Sequence, residues 1–191
     1  MWVFGYGSLL WNADFPYSKM MSGSVIGYSR RFWQLSPDHR GTPDKPGRAV
    51  TLVADENGTC WGRAFKLLDE NIRQTLDYLN YREKAGYELK KIKFHPDDGS
   101  DPFNVNVYLA STEHNPYYTG PCNNEMIIQT ILSSHGPSGS NLEYALKLAA
   151  FLHKNAPHIY DEHLFEIEEK LLEHCRKNGM TEKFIRELSY V

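Results

Sequence analysis

The sequence predicts an α+β fold, with a sheet or small barrel in its first half and helices in its second. Three observations predict it. As far as Leu109, apolar residues alternate or run in short blocks. From Asn123 onward they recur at three- and four-residue spacing. Glycine, proline, asparagine and aspartate mark the boundaries between these stretches. The 191 residues, 41% hydrophobic and 24% charged, suit one domain over 1–191 with a sizeable core.

Trp2–Tyr6 reads as a short strand leading into the glycine pair Gly5 and Gly7. Val25–Leu35, carrying Ile26, Tyr28, Phe32 and Trp33, forms one or two strands. Ala49–Val53 and Thr59–Leu67 read as strands, and Asp55-Glu56-Asn57-Gly58 between them is a hairpin signal. Asp69 is placed to cap a helix whose Ile72, Leu76 and Leu79 share a face. Arg82-Glu83-Lys84-Ala85-Gly86 ends that helix, with Gly86 as a left-handed stop. Tyr87–Phe94 is a strand, and the alternation of Phe103, Val105, Val107 and Leu109 predicts another. Three helices follow: Asn123–His135, stopped by Gly136-Pro137; Asn141–Asn155, with Leu142, Ala145, Leu146, Ala149 and Leu152 on one stripe; and Asp161–Asn178, stopped by Gly179. Thr181 caps a last short helix. Ser36–Arg48 and His95–Pro102 read as surface loops.

The formal charge of −3 selects neither nucleic acid nor an anionic membrane as a partner. No apolar run approaches the ~20 residues of a membrane span. The N-terminus lacks a basic region followed by the apolar stretch of ~7–15 residues of a secretory signal. Cys60, Cys122 and Cys175 are odd in number and far apart, which predicts small apolar side chains in a reducing cytosol rather than disulfides or a Cys-x-x-Cys site.

The glycine pair invites a nucleotide-binding reading, but Leu10 stands where the dinucleotide fingerprint needs a third glycine, and no helix opens there. Two readings remain for it. Gly5 and Gly7 permit a tight bend or bulge, or the N–H groups of Tyr6 to Leu9 form a nest for an oxygen that is or becomes negative. Ser8, Asp38 and His39 are the residue types of a hydrolase triad, but adjacent Asp38 and His39 point to opposite sides of an extended chain, and Ser8 lacks the nucleophile elbow. His153, His158 and His163 are five apart, not the three or four that puts ligands on one helix face, so surface or capping roles are expected. Tyr28-Ser29-Arg30-Arg31-Phe32-Trp33, with Arg40, Lys45 and Arg48, is locally positive. It suits single-stranded nucleic acid or, in better accord with the overall acidity, the carboxylates of a small anionic substrate. Glu83, between Arg82 and Lys84, reads first as a solvated charge; its place after an amphipathic helix and before Gly86 hints at a group aimed into a sheet opening.

Four blocks carry a family resemblance: WVFGYGSLLW, RRFWQLSPDHRGTPDKPGRAVTL, YLNYREKAGY and SHGPSGSNLEYALKLA. In this order and spacing they resemble the ChaC-type glutathione-specific γ-glutamylcyclotransferases, and the length is similar to the short cytosolic form of that family. The resemblance runs from Trp2 to about Leu164; the tail after Leu171 adds nothing to it. Ala85 departs from the glycine expected in many relatives.

The resemblance implies a small β-barrel with surrounding helices. It implies a metal-free and cofactor-free reaction that splits glutathione into 5-oxoproline and cysteinylglycine. It makes Glu83 the general base and acid. It assigns the γ-glutamyl group to Val3, Phe4, Gly5, Tyr6, Gly7, Ser8 and Leu9, with Tyr144 as a further hydroxyl near the substrate and Arg40 either near the substrate or bracing its loop. The expected partner is the small-molecule substrate alone, with no nucleic acid and no membrane; monomer and weak homodimer both stay open. The alternatives are other γ-glutamyl amino acids or amines as substrates, or a non-catalytic small-ligand-binding module.

Overall fold

The computed structural model describes residues 1–83 and 85–189. Five strands form a closed barrel: β1 (Trp2–Gly5), β2 (Tyr17–Ser36), β3 (Gly47–Leu67), β4 (Tyr87–Pro96) and β5 (Phe103–Ala110). Their order is β1-β3-β2-β4-β5, and β5 closes on β1 in parallel. The register sets Val3 opposite Phe65 on β3 and Asn106 on β5, while Glu88 of β4 faces Leu109. A short 3-10 turn, Ser8–Leu10, follows β1. The helices are α1 (Ile72–Arg82), α2 (Asn124–Ser133), α3 (Asn141–Asn155), α4 (Glu162–Lys177) and α5 (Glu182–Ser189). A two-residue ladder, β6 (His135–Gly136) with β7 (Gly139–Ser140), joins α2 to α3.

The chain divides into two compact units, Met1–Arg30 with Thr51–Tyr118, and Arg31–Val50 with Thr119–Val191. In the first, the two-residue period of β1 sends neighbouring side chains to opposite faces. Phe4 meets Phe94 at 5.7 Å between ring centroids. Val3 instead joins Leu9, Phe15, Phe65, Leu67, Leu79 and Tyr108 in one apolar cluster. Leu79 anchors α1 in that cluster, so the helix and the turn after β1 share a single core. In the second unit α3 lies against α2, α4 and α5. Its stripe of Leu142, Ala145, Leu146, Ala149 and Leu152 is buried. Side-chain oxygens of Asn123, Ser140 and Asp161 cap α2, α3 and α4. Thr181 Oγ1 accepts from the N–H of Phe184 at the start of α5.

Several expectations need correction. Ala49–Val53 and Thr59–Leu67 are parts of one continuous strand, with no hairpin at Asp55–Gly58. Those turn-forming residues serve strand contacts instead. Asp55 accepts from Ser29 Oγ at 2.5 Å, and a Cβ on Gly58 would lie 2.7 Å from the carbonyl carbon of Tyr28. Asp69 does not cap α1; it opens a 3-10 turn, Asp69–Asn71, and no side chain caps the helix. Thr75 and Leu79 are the buried residues of α1, and Ile72 and Leu76 are half-buried. His135 and Gly136 belong to the small ladder rather than to α2. Gly86 and Gly179 have the expected left-handed φ of 79° and 74°.

His163 is neither on the surface nor a cap. Its Nε2 accepts the N–H of Phe32 at 3.0 Å, and burial, reinforced by the charge of Arg31, lowers its pKa to about 4. Arg30 and Arg48 leave the substrate-carboxylate reading for a structural one. Arg30, 2% exposed, donates to the Trp61 carbonyl at 2.6 Å. Arg48, 5% exposed, donates to Thr119 Oγ1 at 2.8 Å and to the Phe32 carbonyl at 3.4 Å.

Candidate active site

The turn after β1 is built for close approach. A Cβ on Gly5 would lie 2.6 Å from that of Leu9, so the glycine lets the chain fold back on itself. Leu10 N–H donates to the Gly7 carbonyl at 3.0 Å, and Trp11 N–H to the Ser8 carbonyl at 3.2 Å. The N–H groups that precede these bonds are left over, as at the start of any helical turn. Among the described residues, those of Gly7, Ser8 and Leu9 meet no acceptor. Val3, Phe4, Gly5, Tyr6 and Leu9 are buried, and Gly7 and Ser8 are half-buried. The stretch therefore presents backbone at Gly7 and Ser8, while its apolar side chains hold it in the core.

Glu83 stands at the C-terminal end of α1. Its N–H donates to the Leu79 carbonyl at 2.8 Å, the residue by which the helix is anchored. The carboxylate Oε1 lies 3.8 Å from Arg82 Nε, and the Glu83 side chain is 20% exposed. The same guanidinium reaches the turn after β1. Its Nη2 donates to Ser8 Oγ at 2.9 Å, and its Nη1 to Asp14 Oδ1 at 2.7 Å and the Asn12 carbonyl at 3.3 Å. Tyr78 Oη donates to the other Asp14 oxygen at 2.6 Å. One arginine thus ties Glu83 to the glycine turn.

Behind Glu83, Tyr6 Oη donates to the Tyr108 carbonyl at 2.7 Å, and Tyr108 Oη donates to Asn80 Oδ1 at 2.7 Å. Burial, then the negative charge of Glu83, pushes the Tyr108 phenol up to about 12. Tyr108 is therefore a hydrogen-bond donor and not a base at neutral pH. Past Glu83, Asn115 Nδ2 donates to the Gly86 and Ser111 carbonyls at 3.0 and 3.1 Å. Lys84 lies outside the described residues. Among the described residues, no cluster of three or more His, Cys, Asp or Glu is arranged to hold a metal ion.

Arg40 and Tyr144 belong to the second unit, where they come together with one another. The Arg40 guanidinium carbon lies 5.3 Å from the Tyr144 ring centre. Arg40 Nη1 donates to the Ser140 carbonyl at 3.2 Å and lies 3.9 Å from Glu143 Oε2, while its backbone N–H donates to Ser36 Oγ at 3.0 Å. These bonds brace the Ser36–Arg48 segment against the start of α3. The buried Tyr144 hydroxyl accepts the N–H of Val50 at 3.4 Å.

Sequence reading did not find Arg82, Asp14, Asn80, Tyr108 or Asn115. For Arg82 a signal existed. It neighbours Glu83 and falls one helical turn after Tyr78, so both can reach the same carboxylate.

A model of the ChaC-like protein family matches residues 1–174. The chain belongs to the ChaC-like family. It is 47% identical to mouse glutathione-specific gamma-glutamylcyclotransferase 1 over 167 residues, covering 86% of this chain and 74% of that one. It is 47% identical to the human protein of the same name over 170 residues, 87% and 76% of the two chains. The fold is similar to the crystal structure of a yeast gamma-glutamylcyclotransferase specific to glutathione. That match has a TM-score of 0.84 at 28% identity and covers 91% of this chain and 96% of that one.

Proposed function

We propose that this chain is a glutathione-specific γ-glutamylcyclotransferase in which Glu83 is general base and acid. The observation that carries the site is the Arg82 fork, which links the Glu83 carboxylate to Ser8 of the glycine turn. The relatives' names supply the substrate class.

The reaction needs no protein nucleophile. The α-amino nitrogen of the γ-glutamyl residue attacks its own γ-carbonyl carbon, and the five-membered ring forms from one bound molecule. Holding the reacting atoms in that conformation removes the entropy of a bimolecular encounter. A free α-ammonium has a pKa of about 7.7–8.0, so a base must take its proton. The Glu83 carboxylate accepts it as the new C–N bond forms. The carbonyl oxygen becomes negative in the tetrahedral intermediate. The N–H groups of Gly7, Ser8 and Leu9 are donors fixed in place before the charge develops. Collapse then breaks the γ-amide C–N bond. Glu83 returns the proton to the leaving nitrogen, and a second proton passes from the ring nitrogen through the same carboxylate to the released amine, giving 5-oxoproline with one N–H and cysteinylglycine as its ammonium. Among the described residues, Cys60, Cys122 and Cys175 form no disulfide, which fits a cytosolic setting.

The test is product analysis with glutathione, γ-glutamylalanine and γ-glutamyl-lysine side by side. The proposal requires 5-oxoproline and cysteinylglycine from glutathione and far slower release from the other two. Equal or faster turnover of either would transfer the specificity to another γ-glutamyl class.

A further inference from the structure

Arg82 makes more contacts at the candidate site than any function so far assigned to it requires. Its side chain is only 11% exposed, yet its Nη atoms are bound to Ser8, Asp14 and Asn12 on the turn after β1. Its Nε faces Glu83 Oε1 at 3.8 Å. The planar guanidinium serves both directions because its donors leave in a fixed fork. A charge at Nε lies beside the carboxylate, whereas the Nη atoms hold the backbone turn.

From this geometry we infer that Arg82 is the positioning residue of the reaction, holding Glu83 ionised and in register with the glycine turn. The inference rests on the reading of Glu83 as the base. An opposite charge at this distance favours the ionised form of the carboxylate. Among the described residues, Asp14 and Tyr78 face this pair on the Arg82 side, and Tyr108 faces it from β5. Asp14 shares the positive charge of Arg82 with Glu83. Ser8 enters through position rather than charge. Its Oγ accepts from Nη2, and this bond fixes the turn whose N–H groups follow Gly5.

Lysine cannot replace this arrangement. It keeps one positive charge at its tip, where the Nη atoms meet Asp14 and Ser8, and leaves a methylene beside Glu83. Glutamine keeps a donor and loses the charge. The two substitutions therefore separate electrostatics from anchoring.

The experiment records kcat/KM for glutathione against pH in wild type, Arg82→Lys, Arg82→Gln and Glu83→Gln, with near-UV circular dichroism to verify folding. Arg82→Gln is expected to move the midpoint of the acid limb up by about one pH unit and to raise KM about tenfold through loss of the charge-assisted bond to Ser8. Arg82→Lys is expected to move the acid limb upward by a smaller step with KM near wild type. An acid limb that stays in place in both variants, with only a lower melting temperature, would overturn the inference and leave Arg82 a structural residue. If Arg82→Gln does not fold, the Arg82→Lys limb alone decides by the same criterion. An active Glu83→Gln protein that retains the wild-type acid limb would instead sink the base assignment, a result the Arg82 variants cannot mimic.

Discussion

Replacing Gly86 by alanine places a methyl group where the structure has no room for it. Gly86 closes the segment that carries Glu83, at φ 79°. A Cβ there would lie 2.1 Å from Asn115 Oδ1 and 2.4 Å from its Cγ. Asn115 would have to swing away and give up its bonds to the Gly86 and Ser111 carbonyls. Left-handed alanine costs about 1–2 kcal/mol and each lost bond about 0.5–1.5 kcal/mol, so Gly86→Ala should cost about 2–5 kcal/mol. The partition is testable with Asn115→Ala. In that background the clash is gone, and Gly86→Ala should cost only the backbone strain of about 1–2 kcal/mol. Urea unfolding of the four proteins measures this through the midpoints, provided the m-values agree. A Gly86→Ala protein within about 0.5 kcal/mol of wild type, the ordinary range for a surface change, would refute the reasoning. So would equal costs with and without Asn115.

His163 gives a pH-dependent prediction. Its folded pKa of about 4 lies below the unfolded value near 6.5, so its contribution is complete above about pH 6.5 and is lost as pH falls towards 4. The unfolded chain binds a proton that the folded one refuses, which amounts to about 3 kcal/mol over the whole window at 1.36 kcal/mol per unit. His163→Gln should remove this slope between pH 7 and pH 5, and identical slopes in both proteins would contradict it. Asn141 is fully buried, and its amide accepts from the Arg48 N–H at 2.6 Å and donates to the Arg48 carbonyl at 2.8 Å. Asn141→Ala leaves both groups without these partners and should lower stability by about 2–5 kcal/mol in urea; a loss under about 1 kcal/mol would count against that role.

Much of the fold was legible because the relevant signals are local. The helical stripe of α3 and the glycine stops of α4 and of the segment after α1 depend on residues a few positions apart, and they appear as expected. Asp55–Gly58 misled because turn-forming residues have other uses. Asp55 binds Ser29 across 26 positions, and Gly58 makes room for the Tyr28 backbone, contacts that no local pattern encodes. His163 escaped for the same reason, since its partner is a backbone N–H 131 positions away.

The candidate site divides along the same line. The glycines of the β1 turn and the helix-end position of Glu83 could be picked out by residue type. Their relation could not, because Arg82 reaches Ser8 across 74 positions and Tyr6 reaches Tyr108 across 102. Arg30 and Arg48 were misjudged because a buried guanidinium bound to backbone carbonyls has the same sequence signature as one waiting for a substrate.

The central claim is that Glu83 moves the proton as glutathione cyclises. Release of 5-oxoproline from glutathione by purified wild type and Glu83→Gln, followed by mass detection, tests it most directly. Glutamine keeps the shape of the side chain and cannot accept the ammonium proton. The account predicts a folded Glu83→Gln protein whose turnover falls about 10²–10⁴-fold or further. A folded Glu83→Gln protein that releases 5-oxoproline at the wild-type rate would contradict it.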